Sequence, residues 1–253
     1  MPLKIGIFVD SLRMPIADAL ALAGQWGVSC FQVYVTKGPM LAANMPAAAR
    51  AEFRKRYEDL GLKLSATCGD FGLNFGDAAA LAAKEPLLLA AIDQTVDLGA
   101  SIMTTHVGHV GDDPAREKVM IEALHRLGDV AAGRGVVLAT ETGLESGPRL
   151  RSILQRSQTS GIGVNFDPAN LVMRGFDHFE AVRELFGMIA HTHAKDGRRN
   201  DGEVPLGEGD VDFPRYVKLL TELGYDGAYV IEREVGPDPV GDVKRAVEYL
   251  KRL

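Results

Sequence analysis

The chain is poor in the features that mark secreted, membrane-spanning or nucleic-acid-binding proteins. Cys30 and Cys68 are its only cysteines, too few and too far apart for a disulfide framework or a thiolate zinc cluster, so a reducing compartment is expected. No apolar run approaches the ~20 residues of a membrane span. The opening Met1-Pro2-Leu3-Lys4 runs directly into a strand-like segment, without the charged, apolar and small-residue regions of a secretory signal. These absences lead to the expectation of a soluble cytoplasmic protein with no membrane partner. Basic residues are in deficit as well: 28 Lys and Arg stand against 34 Asp and Glu, a formal net charge of -6. With a sequence pI of about 5.6 there is no surplus of positive charge to neutralise phosphates, which counts against nucleic acid as a partner. Composition breaks, linkers and low-complexity segments are missing too, so residues 1–253 are expected to form one domain.

What is present is apolar material and rhythm. Hydrophobic residues make up 46% of the 253, enough for a large core at the length typical of one (β/α)₈ barrel. Strand-like runs at 3–9, 28–35, 62–68, 101–106, 136–141, 162–167, 189–194 and 228–232 alternate with helix-like stretches at 16–26, 47–60, 87–98, 115–132, 148–155, 176–186, 213–223 and 240–253. The repeating unit predicts an α/β fold, a single (β/α)₈ TIM barrel.

The chemistry gathers around Ile189-Ala190-His191-Thr192-His193-Ala194-Lys195-Asp196. Side chains alternate along a strand, so His191 and His193 share a face. Alone, the pair reads equally well as two hydrogen-bonded core histidines or as part of a site. Three other apolar runs tip the balance, because they end in Glu141, Asp167 and Glu232. If the four strands are parallel neighbours in a closed barrel, Glu141, Asp167, His193 and Glu232 converge at its mouth. Three carboxylates and one imidazole form a hard donor set, suited to one divalent ion, Mn²⁺ or Mg²⁺ first, with Co²⁺ or Zn²⁺ tolerated. An octahedral ion would keep about two positions open for a hydroxyketone and would stabilise the enediolate left by loss of the neighbouring proton. Glu141 and Glu232 could then act as an acid/base pair, giving epimerisation, or one carboxylate could return the proton to the next carbon, giving isomerisation.

Other polar positions surround this core of the argument. His106, ending the fourth run, is a candidate substrate contact. His109, in an expected turn at 108–111, reads as ordinary loop polarity, His125 as a surface or helix-packing residue and His178 as solvated. The glycine-rich loop 69–76 is either a substrate wall or a plain surface loop. Asn170 falls near the mouth, three residues beyond Asp167. Lys195 and Asp196 are expected to support the ligands or anchor the loop that follows, since a lysine cation beside a metal opposes its charge.

At these residues the chain resembles the xylose isomerase-like barrel superfamily, specifically the sugar phosphate isomerase/epimerase branch with its ketose 3-epimerases and hydroxypyruvate isomerases. The likeness is carried by Glu141, by Asp167 with Asn170 after it, by His191-Thr192-His193, by Pro205-Leu206-Gly207-Glu208-Gly209 and by Val230-Ile231-Glu232. It implies that Glu141, Asp167, His193 and Glu232 bind the metal, that Glu141 and Glu232 double as the acid/base pair, and that Arg199 contacts a small sugar substrate. It also implies a homo-oligomer, a dimer first. The chain departs from the 3-epimerases at Asn170, where those enzymes carry a histidine; asparagine bonds a hydroxyl but shuttles no proton. Alternatives within the resemblance are a lyase acting on a 3-keto-glycoside and a non-catalytic sugar-binding barrel. The abasic-site endonucleases of the same superfamily use more histidines than this acidic chain supplies.

Overall fold

A computed structural model of the chain describes Pro2–His109 and Gly111–Leu253. Met1, and Val110 within the turn expected at 108–111, lie outside the described residues. The strands are β1 (Lys4–Phe8), β2 (Cys30–Tyr34), β3 (Lys63–Cys68), β4 (Ile102–Thr105), β5 (Val137–Glu141), β6 (Ile162–Phe166), β7 (Ile189–Ala194), β8 (Asp196–Gly197), β9 (Glu203–Val204) and β10 (Ala228–Ile231). Eight of them close a barrel in the order β1-β10-β7-β6-β5-β4-β3-β2, and every pairing in it is parallel. The expected (β/α)₈ TIM barrel is therefore the observed fold. The strands that end in the candidate ligands, β5, β6, β7 and β10, are consecutive neighbours.

The helices are α1 (Ile16–Gln25), α2 (Ala47–Asp59), α3 (Ala78–Asp97), α4 (Pro114–Gly133), α5 (Gly147–Ser157), α6 (Pro168–Met173), α7 (His178–Leu185), α8 (Phe213–Leu223) and α9 (Pro239–Leu250). Aspartate caps six of them: Asp77, Asp113, Asp167, Asp177, Asp212 and Asp238 each accept a backbone N–H of the first turn. Three features differ from the sequence-based expectation. Helix α3 begins nine residues before the expected 87 and carries Pro86 in its interior; the Asp77 cap and the buried stripe Leu81, Leu88, Ala91 and Ile92 outweigh a proline that by itself disfavours helix. The short α6 stands between β6 and α7, started by Pro168 at its first turn and by the Asp167 cap. The connection after β7 is folded back on itself as the antiparallel pair β8 and β9. Among the described residues no helix is long and apolar enough to cross a membrane.

Aliphatic and aromatic side chains fill the space between strands and helices in one continuous cluster, from Ile5 and Ile7 through Phe166 and Tyr216 to Leu250. Polar residues are nonetheless buried inside the barrel: Gln32, Thr104, Asn165, His191 and His193. Burying such groups is unfavourable unless each finds a hydrogen bond, and the bonds they make assemble the site.

Candidate metal centre

Asp167 follows β6 directly and serves two directions at once. Its Oδ1 accepts the N–H of Asn170 at 3.0 Å, capping α6. Its backbone is pinned by the Thr142 hydroxyl, which accepts the Asp167 N–H at 2.8 Å and donates to the Asp167 carbonyl at 2.9 Å. With both constraints met, Oδ2 is turned into the barrel, where it is buried and has no hydrogen-bond partner among the described residues. Nδ1 of His193 is in the same condition.

These two orphans face one another at 3.5 Å, and the same His193 Nδ1 lies 3.6 Å from Glu141 Oε1 and 3.3 Å from Glu232 Oε2. One donor atom from each of Glu141, Asp167, His193 and Glu232 falls within 4.8 Å of the others. Three buried carboxylates and an imidazole lone pair converging at this spacing repel unless positive charge sits among them, and with Asp167 Oδ2 and His193 Nδ1 left unpartnered the residues fit a divalent ion. The electrostatics point the same way. Burial alone would push the His193 imidazole down, but the carboxylates of Glu232 and Glu141 outweigh it and push it well above its ordinary value. The site calls for positive charge at Nδ1.

The ligands are held by a polar lattice. Glu141 receives Asn165 Nδ2 on Oε2 at 3.0 Å and Asn170 Nδ2 on Oε1 at 2.8 Å. Asn165 Oδ1 in turn accepts from His191 Nδ1 at 2.8 Å, and Ser65 lies 3.3 Å from the other ring nitrogen. His191 is thus a hydrogen-bonded core histidine, kept neutral by burial first and by His193 second, whereas His193 faces the acids. Glu232 is held by Lys195, whose Nζ lies 3.0 Å from Glu232 Oε2 and 3.7 Å from Asp167 Oδ2 and also pairs with Glu234. Burial would raise the Glu232 carboxyl; Lys195 and then His193 override it and hold it well below the usual carboxylate range. Asp196 turns outward and accepts the N–H groups of Gly197, Gly207, Gly209 and Val211, anchoring the loop. Glu203 on β9 then accepts the Glu234 N–H at 3.1 Å and an Arg233 N–H at 2.6 Å, fixing the segment after Glu232.

A cavity of about 310 Å³ opens above Glu141, lined by His106, Thr142, Gly143, Asn170, Arg174 and Glu234. Gly143, at φ +130°, passes so close to Asn170 that an added Cβ would sit 2.5 Å from the Asn170 Cβ; only glycine fits there. His106 stands at the cavity wall with Nδ1 2.9 Å from Asp70 Oδ2 and Nε2 3.8 Å from Glu141 Oε1. The Glu141 carboxylate first, against burial, and then Asp70 raise its pKa to about 9 in the metal-free chain. A second lobe of about 190 Å³ lies beyond Glu232, against Phe8, Tyr34 and Lys37, with Glu234 bordering both. A larger cavity, about 560 Å³, lies between α1 and α2 outside the barrel, lined chiefly by Met14, Ile16, Leu20, Met40, Met45 and Phe53. Volume alone would have picked that one; it lacks the convergent acids and imidazole.

The structure therefore brings together Glu141, Asp167, His193 and Glu232, with His106 and Asn170 on the cavity wall. Arg199 is not among the residues lining the cavity: its guanidinium donates to the Gly175 carbonyl at 2.6 Å, and its own N–H donates to Asp210 at 2.7 Å. His178 is buried rather than solvated. Sequence reasoning passed over Gln32, Ser65, Thr104 and Asn165. The available signal was a polar side chain inside an otherwise apolar strand, seen in Cys30-Phe31-Gln32-Val33-Tyr34.

A closed parallel barrel carrying a metal-type set of ligands at the carboxyl ends of four adjacent strands defines a recognised architectural class. The chain belongs to the xylose isomerase-like TIM barrel family, whose model matches residues 20–253. A xylose isomerase domain protein from Planctomyces limnophilus superposes with a TM-score of 0.86 at 25% identity, covering 99% of this chain and 96% of that one. The 3-keto-D-glucoside 4-epimerase of E. coli superposes with a TM-score of 0.80 over 99% of this chain and 100% of its own, but at 15% identity it shows the fold alone. An inosose dehydratase of Geobacillus thermodenitrificans is 25% identical over 159 residues, 53% of this chain and 53% of its own. The chain thus spans about half the length of the curated relatives it matches.

Proposed function

We propose that the protein is a divalent-metal-dependent isomerase or epimerase that moves a proton on the carbon beside the carbonyl of a small ketose or keto sugar. One observation carries the reading: Asp167 Oδ2 and His193 Nδ1, both buried and unpartnered among the described residues, face each other between the carboxylates of Glu141 and Glu232. Glu141, Asp167, His193 and Glu232 would hold the ion, with Mn²⁺ first on the hardness of the donors. When bound, such an ion polarises the carbonyl and lowers the cost of removing the neighbouring proton. Glu141 and Glu232 take and return that proton; return to the opposite face inverts the carbon, and return to the adjacent carbon interconverts ketose and aldose. His106 and Asn170 orient substrate hydroxyls from the wall of the 310 Å³ cavity, and Arg199 would have to release Gly175 before contacting the sugar. Assembly as a homodimer belongs to the same reading.

A second reading is favoured by the dehydratase relatives and by Lys195 beside Glu232. A carboxylate paired with an ammonium is a weaker proton acceptor, which leaves Glu141 as the sole base. Removal of the proton beside the carbonyl by Glu141 would then be followed by departure of the β-hydroxyl, which takes that proton back from Glu141 and leaves as water, with a carbon–carbon double bond formed. The deciding experiment incubates Mn²⁺-loaded protein with ketoses, ketose phosphates, inososes and 3-keto-glycosides in deuterium oxide and scores products and deuterium on carbon. An inverted or isomerised product with deuterium incorporated supports the first reading, and an unsaturated product supports the second. Absence of exchange and of product with every compound overturns both.

A further inference from the structure

His193 has two ring nitrogens, and only one can face a cation. Its Nδ1 points at the three carboxylates. Its Nε2 lies 2.9 Å from Oε1 of Gln32, which reaches in from β2 on the far side of β1 and β10. The Gln32 amide is itself oriented: Nε2 donates to Thr104 Oγ1 at 2.8 Å, and the Thr104 hydroxyl donates to the Thr67 carbonyl at 3.4 Å. With its hydrogen given to that carbonyl, Thr104 has only a lone pair for the Gln32 NH₂, so the amide oxygen must face His193. Asn165 Nδ2 also approaches His193 Nε2, at 3.3 Å, but its shorter bond is to Glu141 Oε2 at 3.0 Å. Gln32, Thr104 and His193 are all fully buried, so no water competes for these bonds.

We propose that Gln32 is a positioning residue that fixes the ring hydrogen of His193 on Nε2 and thereby commits the Nδ1 lone pair to a divalent cation. An imidazole's metal-binding nitrogen is selected by the hydrogen bond its other nitrogen makes. Here an uncharged amide makes that bond. It leaves the charge balance of the acid-rich site untouched, and its strand carries none of the four ligands. This role presupposes the cation site proposed above and adds a residue to it.

The test measures Mn²⁺ affinity by chelator competition in the native chain and in Gln32→Leu, with the hydrogen-bearing nitrogen of His193 read by long-range ¹H–¹⁵N NMR of the native chain and Gln32→Glu with and without Zn²⁺. Gln32→Leu removes the acceptor and is expected to weaken Mn²⁺ binding about 10- to 100-fold, the usual effect of losing a group that orients a ligand. Gln32→Glu keeps an acceptor oxygen, and with Zn²⁺ bound its His193 is expected to keep the hydrogen on Nε2. In the Zn²⁺-loaded native chain the hydrogen is expected on Nε2. A Gln32→Leu variant that binds Mn²⁺ like the native chain, or a Zn²⁺-loaded His193 with its hydrogen on Nδ1 in the native chain or in Gln32→Glu, overturns the role of Gln32 while leaving the cation site standing. A native chain that binds neither ion overturns both. The NMR readout needs no variant, so it decides the question even if Gln32→Leu does not fold.

Discussion

Two buried histidines, His193 at the barrel mouth and His178 at the start of α7, carry the same side chain in opposite circumstances. His193 lies among Glu141, Asp167 and Glu232 and is pushed well up despite burial. His178 is 5% exposed, lies against Phe179 at a ring separation of 4.1 Å, and has no hydrogen-bond partner for either nitrogen among the described residues. Burial pushes it down to about 4, with Asp177 offering only partial relief. Burial alone thus makes a neutral packing residue, and a binding residue arises where fixed opposite charges outweigh desolvation. The two sites differ in their neighbours, and three substitutions test that difference.

The largest expected effect is at the mouth. His193→Ala should lower Mn²⁺ affinity by more than the ~10- to 100-fold that loss of a mere supporting residue costs, as measured by elemental analysis after dialysis and by chelator competition. Full metal stoichiometry in the variant would reduce His193 to a packing residue like His178. Lys195→Met comes next. It leaves Glu232, Asp167 and Glu234 without their buried counter-charge, and the metal-free chain should lose about 3–5 kcal/mol in urea unfolding. Added Mn²⁺ should recover more stability in this variant than in the native chain, because the ion replaces the missing charge. Equal recovery in both would show that Lys195 and the ion do not share the same carboxylates.

The smallest effect concerns His178 and depends on pH. Its folded-state pKa of about 4 lies below the ordinary value of 6.5, so as pH falls the unfolded chain takes up the proton first. Stability from the neutral imidazole is complete above about pH 6.5, is lost as pH falls towards about 4, and changes no further below that. His178→Phe should remove this component, so the native chain should lose on the order of 2 kcal/mol more than the variant between pH 7.5 and pH 4.5. Urea midpoints taken with a chelator present keep the metal centre out of the difference. Parallel losses would place a hidden partner on His178.

Much of the barrel was readable because its signals are local. Glu141, Asp167, His193 and Glu232 each end an apolar run, and a parallel barrel gathers such ends in one place. Their partners were harder to see. Gln32 and His193 are 161 positions apart, and nothing in either strand announces the other. His178 looked solvated because it opens an amphipathic helix. Phe179 covers it, and Arg215 of α8 lies 4.0 Å over the Phe179 ring, a contact supplied by a distant helix. The start of α3 was hidden by Pro86, whose local preference was overridden by packing.

The four N–H groups gathered by Asp196 have a consequence for how this protein can change. They come from Gly197, Gly207, Gly209 and Val211, so the tip at 198–202 lies between anchored points and is tied separately, by Arg199 to Asp210 and to the Gly175 carbonyl. Insertions there would lengthen the loop without pulling on Lys195, which sits next to Asp196 but faces the opposite side of the chain. Loop-closure entropy grows slowly with length, so such insertions cost little stability. The wall contributed by Asp201 is therefore open to variation, while the ligand set behind it stays fixed. On the proposed function, editing that one turn would change which sugars reach the candidate metal centre while leaving its four residues in place.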